Sequence, residues 1–352
     1  MNFEALAGQV LVAGFPSTHA PDSIRHALAR GTLGGVILFR RNIVDPRQTA
    51  ALIQTLIADA ATPPLVAVDQ EGGRVERLKT PVLELPPMRA LGVRDDRAMT
   101  QRLGRALGAQ LRALGFSMNF APILDVDTNP DNPVIGDRSF GRDPETVITH
   151  ALAFAEGLRD AGILACGKHF PGHGDTDLDS HLALPTLRHD RDRLNQIELA
   201  PFRAATDLPS WMTAHVLFEA LDPEVPATLS RHVIHELLRE EIGYEGVVIS
   251  DDLEMKAVQD HWGIVNSGLK AIEAGCDVLL VCSDVDACFE LRSALASRAE
   301  TDGTFRARLA EAAERSRALR AGAPPAVGDV EAALTNPSLD ELRTAIAALN
   351  AS

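Results

Sequence analysis

The run ILACGKHF (163–170) is apolar until Lys168 and His169 and then passes into PGHGDTDLDSH (171–181), a loop crowded with ionisable groups. A nearly all-apolar run of this length reads as a strand buried on both faces, as in parallel sheets. Seven other runs read the same way: QVLVAGF (9–15), GGVILF (34–39), PLVAVD (64–69), MNFAPILDV (118–126), WMTAHVLF (211–218), GVVISDD (246–252) and CDVLLVC (276–282). Amphipathic segments lie between them, among them DPRQTAALIQTLIADA (45–60), RAMTQRLGRALGAQLRALG (97–115) and SRHVIHELLREEIG (230–243). Eight strand-then-helix units predict a (β/α)8 TIM barrel over about 9–322, with a C-terminal helical extension over about 323–352. The whole chain, 1–352, is expected to form one catalytic domain. The rival is an open doubly wound sheet, but no dinucleotide-type or phosphate-loop glycine fingerprint follows any strand.

Composition narrows the function classes. Net charge is −15, from 34 basic and 49 acidic residues, and no Lys/Arg-rich run appears, so nucleic acid is not an expected partner. No run of 18 apolar residues occurs and the N-terminus has no secretory pattern. A cytoplasmic protein, or one whose leader has been removed, is expected, with no membrane partner. The four cysteines form no CxxC pair and read as buried thiols rather than a disulfide framework.

In such barrels the chemistry sits at the C-terminal ends of the strands. There the sequence places Asp69, Asp125 and Asp127, Lys168 and His169, His215, and Asp251 with Asp252. In DQEGGRVERL (69–78) the two glycines allow close backbone approach, so Asp69, Arg74 and Arg77 can reach the mouth. An ordinary surface turn is the competing reading. NPVIGDRSFG (132–141) offers Arg138, which taken alone reads equally well as an exposed loop arginine. In VVISDDLEM (247–255) Asp251 suits a nucleophile, while Asp252 suits a cap for a helix starting near Leu253.

The loop KHFPGHGDTDLDSH (168–181) has three readings: a metal site, an acid/base element or a solvated turn. Against the metal stand the missing HExxH and the missing His-x-His on the first strand. For acid/base chemistry stands the spacing of Asp179 and His181, which puts both side chains on one side of an extended segment. A carboxylate there orients the imidazole and raises its pKa toward neutrality. Gly172 and Gly174 are read as hinges of a closing loop.

Together these motifs resemble family 3 glycoside hydrolases, most of all the bacterial β-N-acetylglucosaminidases of cell-wall recycling. The resemblance runs from about residue 10 to the last strand. It implies His181 as acid/base supported by Asp179, Asp251 as nucleophile, and sugar contacts from Asp69, Arg77, Arg138, Lys168 and His169. It also implies the single-domain form and a substrate of N-acetylglucosamine β-linked to 1,6-anhydro-muramyl residues, with or without peptide. No metal, no cofactor and a monomer are expected. The alternatives are a glycosidase or phosphorylase with another β-glycoside substrate, substrate-assisted hydrolysis through the acetamido group, a metal-dependent barrel hydrolase and a non-catalytic sugar-binding protein.

Overall fold

The structure, a computed structural model, describes residues 2–177, 179, 180 and 184–350. Eight strands form the closed barrel: β1 (Leu11–Ala13), β2 (Gly35–Leu38), β3 (Leu65–Val68), β4 (Met118–Asn119), β5 (Leu164–Phe170), β6 (Ser210–Thr213), β7 (Val247–Asp252) and β8 (Val278–Val281). Val12 of β1 is in register with Gly35 of β2, and Leu11 with Leu279 of β8, both in parallel. An open sheet would leave a terminal strand with one neighbour, so this pairing decides for the (β/α)8 barrel.

The apolar runs are apolar throughout because alternate residues have different burial partners. Ile37, Ala67, Met118, Cys166, Met212, Ile249 and Leu280 fill the barrel interior. Their neighbours Leu38, Val68, Val248 and Leu279 pack outward under the helices. Aspartates cap the helices where the chain enters them. Asp45, Asp96 and Asp143 accept from the backbone N–H groups of Gln48, Met99 and Thr146 at 2.8–2.9 Å. The helices they start span Pro46–Ile57, Arg97–Leu114 and Pro144–Asp160.

Two strands, β4 and β6, end well before their apolar runs do. The run 118–126 keeps regular pairing only through Asn119, because Pro122 has no N–H to donate. Beyond it, single bonds continue along β5: Cys166 N–H to Ala121 O (2.8 Å) and Leu124 N–H to Lys168 O (2.7 Å). The run 211–218 leaves the barrel after Thr213, and Leu217–Phe218 pairs with Thr186–Leu187 in a separate two-stranded sheet. Trp211 stacks on Tyr244 at 3.7 Å and is buried, so it serves packing rather than sugar binding.

After β8 come helices Val285–Thr301 and Gly303–Gly322, then the shorter Val330–Leu334 and Ser338–Asn350. The last two lie against Arg97–Leu114 and Met88–Arg94 and bury Leu334, Leu339, Leu342 and Ile346. Among the described residues, no helix is long and apolar enough to cross a membrane.

Candidate active site

A cleft with about 740 Å³ of free space, partly open to solvent, lies at the C-terminal ends of the strands. Of the residues singled out in the sequence, Asp69, Arg77, Arg138, Lys168, His169 and Asp251 all line it. Asp179 is half-buried beside the buried, cleft-lining Ser180, whereas His181 lies outside the described residues.

The floor of one side is a network of charges. The segment after β3 turns back as a tight hairpin of Gln70–Gly72 and Val75–Glu76. Gly72 has φ 120°, and a Cβ there would stand 2.5 Å from Met88 Cε and 2.8 Å from Pro86 O, so only glycine fits. The Gln70 side-chain oxygen accepts from the N–H groups of Arg77 and Leu78, which fixes Arg77 at the rim. Asp69 Oδ1 accepts from Lys168 Nζ at 2.9 Å and Oδ2 from Arg77 Nη2 at 3.3 Å. Glu71, only 1% exposed, accepts a two-point fork from Arg138 (Nε and Nη2, both 2.9 Å) and a 2.6 Å ion pair from Lys168. Burial pushes the Glu71 carboxyl up, but Arg138 and Lys168 outweigh it and hold the group well below the usual carboxylate range. Burial likewise opposes the charge on Lys168, and Asp69 and Glu71 more than restore it. Arg77 Nε is buried without a hydrogen-bond partner among the described residues.

Asp125 organises the next wall. Its Oδ1 accepts from the backbone N–H groups of His169 (3.1 Å) and His173 (2.7 Å), and its Oδ2 lies 2.7 Å from His169 Nδ1. The carboxylate therefore orients the His169 ring whose other edge meets the cleft. Burial pushes Asp125 up, yet His169 and His173 bring it below the usual carboxylate range. Burial, with His169 nearby, lowers His173 to about 4, so it is neutral at neutral pH. Its Nε2 lies 3.0 Å from Ser180 Oγ and its Nδ1 2.8 Å from Thr176 Oγ1. Ser180 O in turn accepts from Ala257 N–H at 3.3 Å, tying this loop to the segment after β7.

At the end of β7, Asp251 Oδ1 accepts from Asp252 N–H at 2.8 Å. Asp252 Oδ1 accepts from Glu254 N–H (3.1 Å) and Cys282 N–H (3.2 Å). Burial, joined by the nearby Glu254 and Asp251 charges, raises Asp252 to about 7. The expected cap is thus realised as a cap on a turn. The helix itself starts at Lys256, with Met255 before it.

Three ionisable residues expected at the mouth are used elsewhere: Arg74 bonds Val134 O (2.6 Å) and Ile135 O (2.9 Å), and the other two are Asp127 and His215. Asp127 pairs with Arg89 at 2.7 Å, and buried His215 donates from Nε2 to Asp252 O at 3.0 Å. Sequence reasoning overlooked Glu71 and counted His173 only among the histidines available to a metal. Glu71 sits in a glycine turn that reads as exposed, and His173 was one of three histidines with no mark to separate it. The single available signal for Glu71 was its two-residue spacing from Asp69, which puts both on one side of an extended segment. Gly174 is held by close packing, since a Cβ there would lie 1.9 Å from Val126 O. Among the described residues, no group of three or more His, Cys, Asp or Glu side chains is arranged to hold a metal ion.

The chain and its barrel have counterparts among known proteins. The sequence profile of the glycosyl hydrolase family 3 N terminal domain matches residues 6–318. A β-hexosaminidase of Alkalilimnicola ehrlichii is 42% identical over 285 residues, which are 79% of this chain and 81% of that one. The solved family 3 β-N-acetylglucosaminidase of Paenibacillus sp. superposes with a TM-score of 0.91 at 40% identity, covering 98% of this chain and 68% of that one. NagZ from Neisseria gonorrhoeae, solved with N-trifluoroacetyl-D-glucosamine, gives 0.84 at 34% identity and covers 97% of both chains. A profile spanning nearly the whole barrel and relatives this similar over most of their length leave one assignment: the chain belongs to glycoside hydrolase family 3, as an enzyme of the β-N-acetylhexosaminidase type.

Proposed function

We propose that this enzyme is a retaining, exo-acting β-N-acetylglucosaminidase that removes non-reducing N-acetylglucosamine from peptidoglycan fragments. The preferred substrate is N-acetylglucosamine linked to 1,6-anhydro-N-acetylmuramic acid, with or without its peptide. The observation that carries this reading is the placing of Asp251 in one cleft with the Asp69–Lys168–Glu71–Arg138 charge network and with Ser180 of the Asp179–Ser180–His181 segment.

Asp69 and His169, with the donors of Arg77, Arg138 and Lys168, hold the hydroxyls and acetamide of the sugar. The Asp251 carboxylate attacks the anomeric carbon as the glycosidic C–O bond breaks, and His181 gives its proton to the departing oxygen. The product of this step is a glycosyl ester on Asp251. His181, now neutral, takes a proton from water, whose oxygen attacks the same carbon and returns the Asp251 carboxylate. Asp179 orients the imidazole and stabilises its charged form. The chain acts as a cytoplasmic monomer and a single catalytic unit, a barrel over about 9–322 with a helical extension over about 323–352.

The test is twofold. An activated 5-fluoro N-acetylglucosaminide should trap an ester on Asp251, found by mass spectrometry of the digested protein. No adduct, or one on another residue, removes the covalent mechanism. Anhydro-muropeptide should be cleaved with a higher kcat/KM than chitobiose, and the reverse order removes the peptidoglycan assignment.

A further inference from the structure

We infer that Glu71 is a positioning residue: it sets the aim of the donors that Lys168 and Arg138 present to the sugar. The inference rests on the reading that this cleft takes the N-acetylglucosamine unit.

The argument is a count of donors. An ammonium has three N–H groups in tetrahedral array. One of those on Lys168 goes to Asp69 Oδ1 (2.9 Å), and the Glu71 carboxylate holds the same ammonium in an ion pair at 2.6 Å. Held between two separate carboxylates, the ammonium keeps one orientation toward the cleft that Lys168 lines. Asp69 alone would leave the ammonium free to rotate about a single contact. The guanidinium of Arg138 has five donors in a plane. Nε and one N–H of Nη2 go to Glu71, and one N–H of Nη1 goes to Val134 O at 3.0 Å. One donor on each Nη remains, along the edge turned away from Glu71, and Arg138 also lines the cleft.

Glu71 does this without competing for the sugar. Arg138 fills one acceptor site on each of its oxygens, and the Lys168 ammonium lies against Oε1 at 2.6 Å. It also relieves Asp69. The carboxylate of Asp69 receives one bond from Lys168 and one from Arg77, which leaves acceptor sites open for sugar hydroxyls. Were Glu71 absent, both buried cations would turn to Asp69 and occupy those sites. Glu71 thus acts through other residues on binding, and it touches no reacting atom.

Glu71→Gln keeps the shape but removes the charge and turns an NH2 toward a cation. It should raise the inhibition constant of N-acetylglucosamine and the KM for 4-nitrophenyl N-acetyl-β-glucosaminide by about tenfold, and change kcat by less than about threefold. In a Lys168→Met background the same change should have a smaller effect, because one of the two donors it aims is gone. An unaltered inhibition constant overturns the inference, and so does a penalty of equal size in the Lys168→Met background. Should Glu71→Gln fail to fold, Glu71→Asp carries the test. It keeps the charge but withdraws it by one methylene, and it should weaken N-acetylglucosamine binding several-fold at near-normal kcat; normal binding overturns the inference. Calorimetric titration with N-acetylglucosamine reads the Glu71 effect even in an enzyme without turnover. Failure of wild type to cleave the aryl glycoside would instead count against the proposed function.

Discussion

At the scale of single residues, Asp251 and Asp252 are neighbours in different surroundings. Asp251 opens on the cleft, and its replacement by alanine should leave the fold intact while lowering kcat by about 10³-fold or more. Retention of a tenth of the activity would place the nucleophile elsewhere. Asp252 is held near 7 by burial and by its acidic neighbours, so the folded state keeps a proton that the unfolded chain releases near 4. Where the folded state binds the extra proton, stability falls as pH rises. Asp252 therefore costs stability progressively from about pH 4 to about pH 7, up to roughly 4 kcal/mol. Asp252→Asn should gain stability relative to wild type across that window, measured by denaturant titration at several pH values. A constant difference would show that Asp252 does not carry the proton. His173 has the opposite slope, because its lowered value removes a proton from the folded state between about pH 4 and 6.5. Asp251, Asp69, Lys168 and His169 were legible in the sequence because each ends an apolar run. Glu71 was not, since the burial of a turn carboxylate depends on Arg138 and Lys168, which come from distant segments.

At the scale of elements, the stretch after β5 is a packed wall. His173 and Thr176 are buried, Asn132 Nδ2 donates to His173 O at 2.9 Å, and Asp175 binds both Thr128 and His189. Gly174→Ala should destabilise the protein by about 1–3 kcal/mol, because the new methyl would overlap the Val126 carbonyl and the backbone must shift. A melting temperature equal to wild type would mean that this stretch yields freely. Next in the chain is the Asp179–Ser180–His181 segment, to which we assign the proposed acid/base role. His181→Ala should slow cleavage strongly for a sugar leaving group and weakly for dinitrophenolate, which departs without a proton. Asp179→Asn should show a milder form of the same dependence. Equal losses on every leaving group, from pre-steady-state rates, would make the segment structural. The wall was half-legible: periodicity gave its strand, but its hydrogen bonds join residues up to 48 positions apart, such as Asp125 to His173. The same limit applies to β4, where Pro122 ends regular pairing inside an apolar run.

At the scale of the whole molecule, the (β/α)8 plan was readable from eight apolar runs, whereas the last two helices carried no motif. Their structure gives them a packing role. Val330–Leu334 and Ser338–Asn350 cover helices Arg97–Leu114 and Met88–Arg94, and their sequence supplies the buried Leu334, Leu339, Leu342 and Ile346. Polar bonds hold the approach to them: Gly328 N–H to Ala113 O at 2.9 Å and Arg112 Nη1 to Pro324 O at 2.7 Å. Their connection to the cleft is indirect. Ser338–Asn350 touches Met88–Arg94, and Arg89 of that helix bonds Asp127 (2.7 Å) and Gly136 O (3.3 Å), two residues before Arg138. Stopping the chain after residue 329 should thus lower the melting temperature by several degrees, as for a loss of about 1–3 kcal/mol. Below the transition kcat should stay within about twofold, since these helices pack on Arg97–Leu114 and Met88–Arg94, which do not line the cleft. KM is the sensitive quantity. A rise of a few-fold would show that Arg89 passes the loss on to Arg138, and a fall in kcat of about tenfold or more would show that the helices hold the catalytic groups themselves.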